Sequence, residues 1–106
     1  MGKRSRDKGA RSELKIVHLL QGHGFAAEKT PLSGAVKGKF GGDISMPLLG
    51  TDRKIEVKCR ADGFRELYKW LQDAEFLIVH ADRKPPLVVL PLRFAIEIAS
   101  VAEKNR

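Results

Sequence analysis

The sequence predicts a single-domain α/β protein in which a mixed central β-sheet is flanked by helices. Three observations carry that expectation. Apolar residues recur at helical spacing near both ends of the chain and once in its middle. Between those stretches lie runs that alternate at strand period or are short and wholly apolar, bounded by turn residues. The resulting order, α-β-β-β-α-β-β-α, contains antiparallel hairpins and one helical crossover that would make a parallel pair, hence a mixed sheet. A length of 106 residues suits one domain with a modest core. No internal repeat or low-complexity segment interrupts it.

The first element is expected at Gly9 to Gln21, ended by Gly22 and Gly24. Residues 1–11 precede and overlap it as a basic arm carrying Lys3, Arg4, Arg6, Lys8 and Arg11. Such a run is a solvated terminus or a phosphate-contacting arm. Within the helix, Leu14, Val17 and Gln21 form one stripe, with Ile16, Val17 and Leu20 beside it. Glu13 lies three, four and seven residues before Ile16, Val17 and Leu20, so it belongs to the apolar side. An acid there either sits at the stripe's edge near the first turn or has a partner or task that repays its burial. His18 and His23 fall off this face.

Phe25 to Lys29 is a short strand candidate, stopped by Thr30-Pro31. The following stretch, Leu32 to Gly42, is rich in glycine and reads as a loop. Its Lys37 and Lys39 suit phosphate contact, although a plain linker would look the same. The glycine spacing is not that of a phosphate-binding P-loop. Asp43 and Ser45 then alternate with Ile44 and Met46, Gly50 to Arg53 supplies turn chemistry, and Lys54 to Cys59 alternates again. Glu56 and Lys58 share one face of that strand, and Ile55, Val57 and Cys59 share the other.

After a turn at Arg60 to Gly63, residues Phe64, Leu67, Tyr68 and Leu71 describe a short amphipathic helix whose aromatics are read as packing. Trp70, beside the stripe, would suit a subunit contact. Ala74 to Ala81 reads as a strand buried on both faces. Asp82 to Pro86 is a turn, Leu87 to Leu90 a strand, and Leu92 to Lys104 a helix with Phe94, Ile98 and Val101 on one side.

Charge narrows the partners. The chain carries a formal +7 with a pI near 9.9, which points to a polyanion, with a membrane surface as the competing reading. No apolar run approaches the ~20 residues needed to span a bilayer, and Met1 to Arg11 has no apolar core for a signal peptide. Cys59 is the lone cysteine, so neither an intramolecular disulfide nor a multi-cysteine zinc site is expected. It reads as a small buried hydrophobe in a reducing, cytoplasmic setting.

An acid on the first helix, Gly42-Asp43 opening a strand, and Glu56-Val57-Lys58 on the next together resemble the PD-(D/E)xK nuclease superfamily. More narrowly, the chain is similar to the archaeal-type Holliday junction resolvases and their bacterial and phage relatives. The matching segments are Lys8-Gly9-Ala10-Arg11-Ser12-Glu13, Gly24-Phe25, Pro31-Leu32-Ser33-Gly34, Asp43-Ile44 and Ile55-Glu56-Val57-Lys58. They lie within roughly the first sixty residues. Asp-x(n)-Glu-x-Lys alone is a weak pattern, whereas the ordered set is fairly specific. Gly42 departs from it, standing where proline is the commoner family residue.

The resemblance implies a restriction-endonuclease-like fold and a metal-dependent, structure-selective endonuclease that cuts four-way DNA junctions as a homodimer. It implies Mg²⁺, with Mn²⁺ as substitute and no small-molecule cofactor, held by Glu13, Asp43, Glu56 and the carbonyl of Val57. Lys58 would act on the attacking water or the phosphate, and Ser33 would lie near the scissile bond. Lys3, Arg4, Arg6, Lys8, Arg11, Lys37, Lys39 and Arg60 would contact DNA. The chemistry is consistent with this set, because oxygen-ligated Mg²⁺ lowers the pKa of a bound water and neutralises phosphate charge. Two other readings stay open: a related nuclease acting on duplex or flap DNA, and a basic DNA-binding module without a working site. In the bland reading of Glu56 and Lys58 they form an exposed ion pair.

Overall fold

The structure, a computed structural model, describes residues 2–30 and 43–106, with residues 2–8 described by backbone alone. The described residues form α1 (Gly2–Gly22), β1 (Glu28–Lys29), β2 (Ile44–Leu48), β3 (Thr51–Ile55), α2 (Arg65–Leu71), β4 (Leu77–Val79), β5 (Leu87–Val89) and α3 (Leu92–Lys104). The order is the expected one, and the class is mixed α/β, with three helices and small antiparallel sheets. The chain divides into two compact units, residues 1–59 with Arg106, and residues 60–105.

In the first unit α1 is longer than its apolar periodicity. It starts at Gly2, so the basic arm is its N-terminal part rather than a separate extension. Lysine and arginine are good helix formers, and no proline interrupts the run. The end is well defined. Gly24 takes φ +92°, the Phe25 amide donates to the Leu20 carbonyl, and the Gly24 amide donates to that of Gln21. These are the paired bonds of a Schellman stop, which needs a residue such as glycine in the left-handed region. Val17 and Leu20 are buried, whereas Leu14, expected on a core stripe, is exposed. The Gln21 amide reaches on to the Ala27 carbonyl at 2.9 Å, fastening the helix end to the chain entering β1.

Strands β1, β2 and β3 form an antiparallel sheet in that order. Ile44 and Met46 are buried and, with Val17, Leu20 and Ala27, make the core of this unit. The hairpin turn lies at Leu49-Gly50, both at positive φ, rather than at Gly50 to Arg53. Such two-residue loops match the twist of the strands they join. Thr51, Asp52 and Arg53 therefore belong to β3, which stops at Ile55, four residues short of the expected strand end at Cys59. The alternation nevertheless runs on past it: Ile55, Val57 and Cys59 are half-buried, while Glu56, Lys58 and Arg60 are exposed. Cys59 is thus less enclosed than its apolar-face position implied.

In the second unit β4 and β5 pair only with each other, Leu77 opposite Val89 and Val79 opposite Leu87. Where one mixed sheet was expected, the described strands form two antiparallel sheets. The short turn through Lys84, whose amide donates to the Ala81 carbonyl, folds β5 directly back on β4. The β4 strand is not buried on both faces: Ile78 is 63% exposed, and its partner Val88 is exposed as well. On α2, Leu67 and Leu71 are half-buried, but Phe64, Tyr68 and Trp70 are exposed, so the aromatics do not form a core there. Phe94 of α3 meets Phe76 with ring centroids 6.5 Å apart, within the range of favourable tilted pairs. Ile96 is the buried residue of α3, while Ile98 and Val101 are exposed. No helix among the described residues is long and apolar enough to cross a membrane.

Candidate functional site

The geometry centres on the place where the chain enters β2 and leaves β3. Ile44 is already opposite Ile55, and the Asp43 amide donates to that same Ile55 carbonyl at 2.9 Å. Asp43 thus continues the contact with β3 just outside the last ladder pair. Exposure still alternates across this junction, with Asp43 and Ser45 half-buried and Ile44 and Met46 buried.

The Asp43 side chain has a definite partner. Oδ2 of Asp43 accepts the backbone N–H of Val57 at 2.7 Å. Beyond the last ladder pair, a carboxylate thus takes the place of a strand carbonyl, satisfying an amide that the end of β3 would otherwise leave to solvent. The short distance is typical of a bond to a charged acceptor. One contact brings Asp43 to the middle of Glu56-Val57-Lys58.

Glu56 and Lys58 flank that peptide on the exposed side, with Nζ of Lys58 3.2 Å from Oε2 of Glu56. Their side chains are 53% and 59% exposed, so the ion pair contributes little to stability. Glu13 occupies the expected place on the α1 stripe with Val17 and Leu20, and its side chain is only 18% exposed. Its partner is Lys29, with Nζ 3.5 Å from Oε1. Lys29 was not among the candidates drawn from sequence. Alternation with the buried Ala27 points Lys29 toward the α1 side of β1, although its side chain stays 43% exposed.

Ser33, Lys37 and Lys39 lie outside the described residues, as do the side chains of Lys3, Arg4, Arg6 and Lys8. Arg11 is exposed on α1, and Arg60 is exposed at the start of the second unit.

No family model, curated protein or solved structure matches the chain.

The residues can be tested against a divalent cation by their donor chemistry. Asp43, Glu56 and the Val57 carbonyl are hard oxygen donors bracketing a single peptide unit, the donor type that Mg²⁺ takes. A carboxylate has about four acceptor positions, and the Val57 amide uses one of those on Asp43. Among the described residues, however, no three His, Cys, Asp or Glu side chains are gathered as a ready-made metal group. Glu13 and Glu56 are each held by a lysine. The set matches the ion in donor type around Val57, whereas Glu13 is paired with Lys29 and not gathered with it.

Proposed function

We propose that the chain is a metal-dependent endonuclease of the PD-(D/E)xK type, with a restriction-endonuclease-like fold, acting on four-way DNA junctions. The observation that carries this reading is the Asp43–Val57 hydrogen bond, which brings an acid from one strand to the Glu-x-Lys segment following the next. Ion pairing alone would not require that convergence. The charge of +7 supports a polyanionic substrate.

Mg²⁺, or Mn²⁺ in its place, would supply a low-pKa water and charge neutralisation on the phosphate. Asp43, Glu56 and the Val57 carbonyl would hold it, with Glu13 as a further ligand. The Lys58 ammonium, two residues from Glu56, would orient the attacking water or offset charge building on the phosphate oxygens. Ser33 is assigned beside the scissile phosphate. Lys3, Arg4, Arg6, Lys8, Arg11, Lys37, Lys39 and Arg60 would contact the DNA backbone. Paired nicks in a junction require two active sites, hence a C2 homodimer with one site in each copy. The whole chain would act as one nuclease domain in the cytoplasm.

Cleavage of a four-way junction, with and without Mg²⁺, tests this. Asp43→Asn and Lys58→Ala should each lower the rate about 10²-fold or more, the usual size of an acid–base or charge-stabilising contribution. Unchanged rates would sink the catalytic assignment. Equal cutting of linear duplex would move the reading to a duplex or flap nuclease. The ion pairs on Glu13 and Glu56 favour a second reading, a basic DNA-binding module in which these acids are structural. Calorimetry separates the two, since that module would take up no Mg²⁺ or Mn²⁺ through Asp43.

A further inference from the structure

Charge and exposed apolar surface are divided between the two units. Residues 60–105 hold seven lysines and arginines and seven aspartates and glutamates, so they are formally neutral. The whole +7 belongs to residues 1–59 with Arg106. Apart from Leu14, Leu19 and Leu49, the exposed large hydrophobic side chains among the described residues all lie in 60–105. A neutral, apolar surface is what two copies of a +7 chain can bring together without repulsion.

Within that unit an apolar groove of about 390 Å³ runs between α2 and the junction of β5 with α3. It is lined by Phe64, Leu67, Tyr68 and Leu71 on one side and by residues 89–92 on the other. Phe64, just before α2, is held at φ +63°, in the left-handed region that bulky residues rarely adopt, and its ring is 45% exposed. Trp70 stands beside this stripe on the same helix, is 53% exposed and lines no part of the groove. The unit thus carries a hole with room for one large ring and, next to it, an indole. Hole and knob on one helix complement each other under a twofold axis, because each copy then offers both at once. We propose that residues 60–105 form a homodimer surface, on which a second copy docks across α2 so that Trp70 of each enters the groove of the other. The surface rests on the nuclease reading for its need of a homodimer, since paired nicks require two sites.

Sedimentation equilibrium of the full chain measures the dimer constant. Trp70 is the sole tryptophan, so a blue-shifted emission that reverts on dilution reports its burial. Trp70→Ala removes the knob. Leu92→Glu blocks the groove with a carboxylate that docking would bury unpaired, yet it opens α3, where an acid suits the helix dipole. Each substitution should weaken the homodimer about 10³-fold, since a central aromatic anchor is worth about 30-fold or more and is lost twice. Mixed together, the two variants should form a heterodimer only about 30-fold weaker than wild type, because one knob still meets one intact groove. The Trp70 emission of the Leu92→Glu copy should shift blue as that heterodimer forms. A wild type that is monomeric at every concentration, a dimer with unshifted emission, or a mixture no tighter than the separate variants would overturn the proposal. So would a dimer that survives both substitutions, which would leave the nuclease reading standing on another surface. A dimer with the expected pattern that cuts no junction in Mg²⁺ would keep this surface and remove the nuclease reading.

Discussion

Asp43 has two tasks that single substitutions can separate. As the acceptor for the Val57 amide it joins the entry of β2 to the exit of β3. As a carboxylate beside Glu56 it is the proposed ligand. Asp43→Asn keeps an acceptor oxygen while losing the charge. It should cost under about 1 kcal/mol of stability while abolishing metal uptake, whereas Asp43→Ala should cost about 1–3 kcal/mol, the size of a lost bond to a charged group. Thermal melts beside metal titrations check both. If Asn and Ala destabilise equally, the hydrogen bond is not what holds the two strand ends together. Behind Asp43 lies Ile44, with no exposed surface. Ile44→Ala should cost about 2–5 kcal/mol by denaturant unfolding, through lost burial and the cavity left behind.

At the scale of elements, the β2–β3 hairpin sets the distance between Asp43 and the Glu-x-Lys segment. Its loop carries Leu49 at φ +55° and Gly50 at φ +80°. Leucine is a poor residue for the left-handed region, and here its side chain is exposed, so little burial offsets the strain. Leu49→Asn should therefore stabilise the protein by about 0.5–1 kcal/mol, and Gly50→Val should destabilise it by about 1–2 kcal/mol. A Leu49→Asn melting temperature at or below wild type would contradict this account of the turn. The outer strand β3 is built mostly of exposed Thr51, Asp52, Arg53 and Lys54, and its charges discourage pairing with another sheet edge.

At the scale of the whole molecule, the dominant property is charge. With +7 distributed over 106 residues, binding to DNA should be led by phosphate contacts and fall steeply with salt. Neutralising six or more phosphates implies a loss of about 10³-fold between 50 and 200 mM salt. A fluorescence-anisotropy salt series reads that slope directly. A slope near zero would remove nucleic acid as the partner. The described candidate catalytic residues all belong to the first unit, residues 1–59 with Arg106, and Arg60 opens the second.

The sequence by itself determined the order of elements, the net charge of +7, the place of Glu13 on an apolar helical stripe, and the alternation of Glu56 and Lys58 against Val57. Each of these is a property of local periodicity or of composition, and neither depends on distant partners. Other features were decided only by tertiary structure. Where β3 begins and ends depends on the backbone angles of Leu49 and Gly50, and residue type at Leu49 argues against the conformation adopted. The separation of β4 and β5 into their own sheet, with Ile78 exposed, is a choice of pairing partner that an apolar run does not encode. The bond from the Val57 amide to the Asp43 carboxylate joins positions fourteen residues apart at two strand ends, which a period-two pattern does not encode. The pairing of Glu13 with Lys29 is likewise a matter of three dimensions: packing of helix and strand makes the half-buried acid and the exposed lysine partners.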